Sequence, residues 1–397
     1  MNAIEGTAAF DFHPRTRIVF GAGCAGRAGE LAREWSARRV LLVTDAGIVR
    51  AGHVERVRAA LVSAGLHVTV FDGVVENPTT REVEACCALA RSAGVDTLIG
   101  LGGGSSLDTA KGCNFILTNG GVMQDYWGVG RAARPMLPMI AIPTTAGTGS
   151  ECQSFALITD PATHQKMACG DPKAAARVAL LDPTLTLTQP RHVAACTGID
   201  TVAHAVESAV TAQRTPISRL FSREAFLLAH DHLPRVLDRG DDLASRGRMQ
   251  LAAAFGGLAI ENSMLGAAHS AANPLTAHFG VVHGQAVGLM LPWVVRFNGE
   301  DAETGREYAS LALLAGLARA DASTGQAVEA LARRIEALLD HAGLARTLAA
   351  LGIPRDALPR LADEAAAQWT ARFNPRPVAA ADFLALYERA FTQRPVG

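Results

Sequence analysis

Residues 266 to 284 read GAAHSAANPLTAHFGVVHG and carry three imidazoles, His269, His278 and His283, with Asn273 one helical turn after the first. Imidazole binds divalent transition metals and exchanges protons near neutral pH, whereas an asparagine amide exchanges none. Upstream, TGIDTVAHAVES places Asp200 and His204 four apart in a helical pattern, so both project from one face. By itself that pair reads equally well as a surface Asp–His contact. Taken together, Asp200, His204, His269 and His283 offer one oxygen and three nitrogens. That set suits a divalent ion such as Fe2+, Zn2+ or Mn2+ better than the oxygen-seeking Ca2+ or Mg2+. His13, His53, His67, His164, His192, His230 and His232 lack such partners and read as surface or structural residues.

A second group of residues has the chemistry to hold phosphate. LIGLGGGSSLDTAKG runs from an apolar strand into Gly102, Gly103 and Gly104, then Ser105 and a helix bearing Asp108 and Lys111. Glycines admit close backbone approach, and the helix N-terminus offers free amides and a positive dipole end. The spacing is neither GxGxxG nor a P-loop, so the phosphate reading rests on the strand–glycine–helix context. IPTTAGTGSE adds Thr144, Thr145 and Thr148, hydroxyls for ribose, amide or phosphate oxygens unless they satisfy their own loop. Asp45, ending VLLVTD, stands where a carboxylate accepts from ribose hydroxyls and repels a 2′-phosphate, favouring NAD; it reads equally as the N-cap of the next helix.

These residues need two different scaffolds. Up to residue 188, β-rich runs (RIVFGAG, RVLLVTD, HVTVFDGV, DTLIGLGGG, MIAIPTT, FALITD, RVALLDP) alternate with amphipathic segments such as VERVRAALVSAG and REVEACCALARSAG. That alternation predicts βα units and a largely parallel sheet. Leu-Thr-Gln-Pro at 187 to 190 breaks the rhythm, and from Arg191 onward ISRLFSREAFLLAHDHL, ALARRIEALLDHAGLARTLAALG and ADFLALYERAF show helical spacing only. The expected organisation is an α/β dinucleotide-binding domain over 1–188 and an all-helical, metal-binding domain over 189–397, packed with a cleft between them.

Composition narrows the partners. In 397 residues, 37 Lys+Arg against 38 Asp+Glu leave a formal charge of -1, with no basic run for nucleic acid or anionic lipid. A small molecule is the expected partner. Neither a signal segment nor a run long enough to span a membrane is visible, which predicts a cytoplasmic protein. Cys24, Cys86, Cys87, Cys113, Cys152, Cys169 and Cys196 lack CxxC spacing and read as reduced, buried thiols.

The whole set of motifs resembles the iron-containing, or group III, alcohol dehydrogenase family. GGGSSLDTAK, IPTTAGTGSE, GIDTVAHAVES and ENSMLGAAHSAANPL with VHGQAVGLMLP occur in the family's order, from FGAG near residue 20 to DFLALYERAF near the end. The resemblance implies a dehydroquinate-synthase-like fold, homodimers or larger homo-oligomers, and an active site in the interdomain cleft. It implies Asp200, His204, His269 and His283 as metal ligands. For the dinucleotide it implies Asp45, Asn77 in the ENPT turn, Gly102, Gly103, Gly104, Ser105, Asp108, Thr144, Thr145, Thr148 and, by a looser match, Lys166.

The expected reaction is reversible hydride transfer between nicotinamide C4 and the carbon of a small alcohol or aldehyde. Two departures stand out: many relatives have a second histidine at Asn273 and a proline at Val282. Asn273 is therefore expected to orient nicotinamide or substrate by hydrogen bonding, with protons leaving through water, ribose hydroxyls or His278. Phe155, Ile260, Met264 and His278 are expected to line a partly apolar pocket. Three alternatives remain open at this point: a hydroxyacid–oxoacid transhydrogenase, a non-redox lyase of the same fold, and a non-catalytic nucleotide-binding protein.

Overall fold

The computed structural model describes residues 9–163 and 165–392, so His164 lies outside the described residues. Nine strands form in chain order: β1 (Arg17–Phe20), β2 (Arg39–Val43), β3 (His67–Phe71), β4 (Thr97–Gly102), β5 (Gly128–Val129), β6 (Met139–Pro143), β7 (Phe155–Thr159), β8 (Lys166–Gly170) and β9 (Val178–Leu181). Six of them make one sheet of order β1-β9-β6-β4-β2-β3, parallel throughout. Between them lie α1 (Ala28–Arg33), α2 (Ala46–Arg50), α3 (His53–Ser63), α4 (Thr80–Ala93) and α5 (Gly104–Asn119).

The period of two along each strand explains why the sheet is covered on both sides. Leu41, Val43, Leu98, Met139 and Ala141 face a core completed by Val83, Cys86 and Ala90 of α4 and Leu107, Ala110 and Cys113 of α5. Their neighbours Val40, Leu42, Ile99, Leu101, Ile140 and Ile142 face the other core, with Leu31 of α1 and Val54, Val57 and Leu61 of α3. All seven cysteines are buried and none forms a disulfide, as their spacing predicts.

FALITD is a strand, but it does not join the parallel sheet. β7 pairs antiparallel with β8, and β5 flanks β8, in a separate three-stranded sheet. The sequence reading passed over β8 because HQKMACG shows no clean alternation next to a polar start.

The second half is helical: α6 (Arg191–Ser208), α7 (Pro216–Asp238), α8 (Leu243–Glu261), α9 (Ala267–Phe279), α10 (His283–Asn298), α11 (Ala302–Leu314), α12 (Thr324–Ala342), α13 (Leu358–Ala366) and α14 (Ala380–Thr392). α6 packs against α7, α8 and α10, and from Ala194 to Ser208 nearly every side chain is buried. A helix apolar on all sides belongs inside a bundle. The long pattern ALARRIEALLDHAGLARTLAALG is not one helix. Gly343, at φ 70, closes α12 in the left-handed conformation that favours glycine.

The chain divides after Gln189, one residue beyond the expected break. His13–Gln189 is one compact unit, and the helical unit from Pro190 also takes in residues 9–12. Phe12 sits with its ring 6.1 Å from that of Phe221 in α7. Among the described residues, no helix is long and apolar enough to cross a membrane.

Candidate metal centre and dinucleotide loops

Asp200 and His204 occupy successive turns of α6, His269 is the third residue of α9, and His283 opens α10. Three helices thus bring three imidazoles around the Asp200 carboxylate, with His204 outside the tightest group. His204 Nε2 lies 3.4 Å, His269 Nε2 3.5 Å and His283 Nε2 3.9 Å from Asp200 Oδ1. The rings of His204 and His269 stack at 5.0 Å, and that of His283 is 5.3 Å from His269. Ligand atoms of Asp200, His269 and His283 all lie within 4.8 Å of one another. Donors each about 2.1 Å from one tetrahedral ion are about 3.4 Å apart, so the spacing fits a first-row divalent metal.

The donor chemistry fits as well. Asp200 Oδ1 and His269 Nε2 are buried and make no hydrogen bond, a cost a bound cation removes. Burial works against the Asp200 carboxylate, yet the imidazoles of His204, His269 and His283 hold its pKa well below the usual range. Burial likewise disfavours a charged His269, but the carboxylates of Glu207 and Asp200 outweigh it and push the ring up to about 9.

Glu207 is the residue that sequence reasoning missed. It is buried on α6, one turn beyond His204, with one oxygen taking the amide of Ala268 at 2.7 Å and the other bonded to Nδ1 of His269. A carboxylate only accepts, so Nδ1 carries a proton, and Nε2, which faces Asp200, is the nitrogen that would lose its proton to take a metal as ligand. The signal was in the spacing: Asp200, His204 and Glu207 are i, i+4 and i+7 on one helical face.

Asn273 and His278 share α9 with His269, but only Asn273 lies near its face. At i+4, Asn273 faces nearly the way of His269, and its Nδ2 donates to Gln368 Oε1 at 3.0 Å. At i+9, His278 is rotated about half a turn from His269, and its Nε2 meets Glu364 Oε2 at 2.5 Å in an exposed hydrogen bond. His278 is therefore not brought to the cluster, because helical phase turns it away. Ile260 is core, and Met264 sits in the turn before α9 at φ 86. Of the other histidines, His53 bonds Thr188 at 2.8 Å and His232 meets Ser245 at 3.2 Å, while His13 and His67 are exposed.

In the α/β unit, neighbouring strands β2, β4 and β6 end together. Asp45, Gly102–Gly104 and Thr144 follow directly from their carboxyl ends. Because β3 lies on one side of β2 and β4 on the other, this is a switch point of the topology, the usual place for a nucleotide. Gly102 takes φ 149, and a Cβ there would fall 2.4 Å from Ser106 Oγ. α5 then starts at Gly104 with no side-chain cap on its first amides, which leaves them for an anion. Thr145 and Thr148 approach this turn from β6, so close that a Cβ on Gly104 would be 2.7 Å from Thr148 Cγ2.

Asp45 does cap α2: Oδ1 accepts from Gly47 and Ile48, and Oδ2 is 3.5 Å from Ser106 Oγ. Lys166 Nζ reaches Asn77 Oδ1 at 3.3 Å across 89 residues of sequence. Asp108 departs from expectation, since its carboxylate is turned inward and both oxygens are engaged, by Ser150 Oγ at 2.6 Å and the Leu157 amide at 3.1 Å. Phe155 lies over Gly170 of β8.

Comparison with known proteins agrees with this geometry. The description "Iron-containing alcohol dehydrogenase" matches residues 14–183, and "Fe-containing alcohol dehydrogenase family, C-terminal" matches residues 194–391. The NAD-dependent methanol dehydrogenase of Bacillus methanolicus is 32% identical over 94% of this chain and 97% of its own. The lactaldehyde reductase of Escherichia coli is 31% identical, over 94% and 97%. Among solved structures, a 1,3-propanediol oxidoreductase superposes with TM-score 0.93 at 30% identity, covering 97% of this chain and all of that one. A sulfoacetaldehyde reductase from Bifidobacterium kashiwanohense in complex with NAD+ gives 0.88 at 27%, covering 98% and 100%. The chain belongs to the iron-containing alcohol dehydrogenase family.

Proposed function

We propose that this chain interconverts a small alcohol and its aldehyde with NAD(H), using Asp200, His204, His269 and His283 to hold Fe2+, with Zn2+ or Mn2+ as substitutes. The observation that carries the proposal is the convergence of three imidazole nitrogens on one buried carboxylate oxygen, with Asp200 Oδ1 and His269 Nε2 lacking any hydrogen bond. A divalent ion there supplies Lewis acidity, lowering the pKa of an alcohol and polarising a carbonyl. The NAD-dependent and alcohol- or aldehyde-converting relatives support the reaction class.

The protein's own groups have distinct jobs. Gly102–Gly104, Ser105 and the amides of α5 take the pyrophosphate, and Thr144, Thr145 and Thr148 cover it from β6. The Asp45 carboxylate, beside the end of β2 and with Oδ2 held only by a long contact to Ser106, discriminates against a 2′-phosphate. Asn77 with Lys166 completes the set of dinucleotide contacts. Asn273 orients nicotinamide or substrate through its amide, and with His278 engaged by Glu364 the proton leaves through water or ribose hydroxyls. The buried cysteines, none in a disulfide, support a reducing, cytoplasmic setting, and the working form is a homodimer or larger homo-oligomer of this chain.

The test is NADH oxidation by chelator-stripped protein against short aldehydes, with Fe2+ or Zn2+ restored anaerobically and NADPH in parallel. Turnover that returns only with metal, and faster with NADH, is expected. Turnover by metal-free protein, or a preference for NADPH, would overturn the ligand set or the role of Asp45 respectively.

A further inference from the structure

Lys111 is fully buried in α5, an expensive place for an ammonium group. Three acceptors surround its Nζ: Ser150 O at 2.6 Å, Ser150 Oγ at 2.7 Å and Phe155 O at 2.9 Å. An ammonium group donates three hydrogen bonds, and acceptors for them stand here. Asp108, one turn earlier and 3.7 Å from Nζ, balances it. Ser150 stands between the two, accepting from Lys111 and donating to Asp108 Oδ1 at 2.6 Å, while Asp108 Oδ2 takes the Leu157 amide at 3.1 Å.

Apolar side chains of the same volume would pack here at lower cost. What the charged arrangement adds is a single register, since any slip of one segment leaves a buried charge unpaired. The segment so fixed runs from Thr144, whose amide bonds Gly102 O at 3.0 Å, to Ser150. Between those two anchors Thr145 and Thr148 cross the glycine turn, with Thr148 touching the Cβ position of Gly104 and Thr145 lying 3.5 Å from that of Gly103. Both walls of the turn are therefore tied to α5.

We infer that Asp108, Lys111 and Ser150 are positioning residues for the dinucleotide: a buried clamp that sets the spacing between the threonine loop and the glycine turn without touching the cofactor. This rests on reading those loops as the dinucleotide site. Asp108 and Lys111 of the GGGSSLDTAK motif then act from behind the phosphate subsite, through Ser150, on Thr145 and Thr148.

The experiment measures NADH affinity and steady-state kinetics on metal-loaded Ser150→Ala, Ser150→Thr and Gly103→Val. Removing one hydroxyl between buried charges is expected to raise the NADH Kd and KM roughly 10- to 100-fold. The aldehyde KM and the kcat at saturating NADH stay within about twofold, the pattern of lost cofactor positioning alone. Ser150→Thr, which keeps the hydroxyl, recovers most of the loss. Should Ser150→Ala be too unstable to purify, Ser150→Cys is read in its place. A folded Ser150→Ala or Ser150→Cys with wild-type NADH affinity, or an equal fall in kcat, would overturn the clamp. Gly103→Val fills the turn itself: if it loses NADH while Ser150→Ala does not, the clamp alone fails, and if it binds NADH normally the dinucleotide reading of the loops fails.

Discussion

The Glu207 carboxylate ties two helices to the metal centre, bonding Nδ1 of His269 with one oxygen and the Ala268 amide with the other at 2.7 Å. It caps the start of α9 and fixes the ring that α9 presents. Glu207→Gln has one acceptor oxygen for two donors, so the His269 ring loses its fixed orientation. Metal affinity, read by competition with a chromophoric chelator, is expected to fall about 10- to 100-fold. An unchanged Kd would remove Glu207 from any role in holding the ion.

Glu151 gives a pH dependence. It is 2% exposed, and burial, only partly offset by its own backbone amide and by Lys111, raises its pKa from 4.5 to about 7. The unfolded chain releases this proton near 4.5 and the folded chain only near 7, so between those values the folded state binds more protons. Stability must then fall as pH rises through that window, by roughly 3 kcal/mol at most, and change no further above it. Glu151→Gln, neutral at every pH, should flatten the difference. Urea unfolding of both proteins at pH 5 and pH 8 checks this; parallel curves would show that Glu151 does not retain its proton.

Asn273 carries an amide, which cannot exchange a proton near neutral pH. Asn273→His should add a titration near pH 6.5 to the kcat/KM profile that the parent protein lacks. Asn273→Ala should change KM or kcat, and unchanged values in Asn273→Ala and Asn273→Asp together would sink a role at the site.

His278 belongs to the surface, paired with Glu364 where the two side chains are 33% and 37% exposed. His278→Ala is expected to leave kcat and KM within about twofold and to cost at most about 1 kcal/mol in thermal unfolding. A tenfold loss of kcat would return this histidine to the proton route.

The local periodicities were enough to read most of the architecture. Leu41 and Val43 alternate with Val40 and Leu42 because a strand has a period of two, and Asp200 and His204 share a face because a helix has 3.6 residues per turn. The same helical phase carried Asn273 toward His269 and His278 away from it, so that misplacement was avoidable. Glu207 was visible in the spacing, yet a glutamate on a helix is ordinarily solvated, and nothing local marks this one as buried.

The amino-acid sequence by itself determined the two halves and their element types, because each depends on residue type and short-range spacing, whereas Asp200, His204, His269 and His283 meet only because three helices come together. Only the tertiary structure decided which sheet receives FALITD, since β7 needed β8 as its partner. It also decided that Asp108 and Lys111 turn inward to Ser150 and that Lys166 meets Asn77. Those pairings join residues distant in the chain, and what selects them is the cost of burying a charge or a backbone amide without a partner, which no local pattern records.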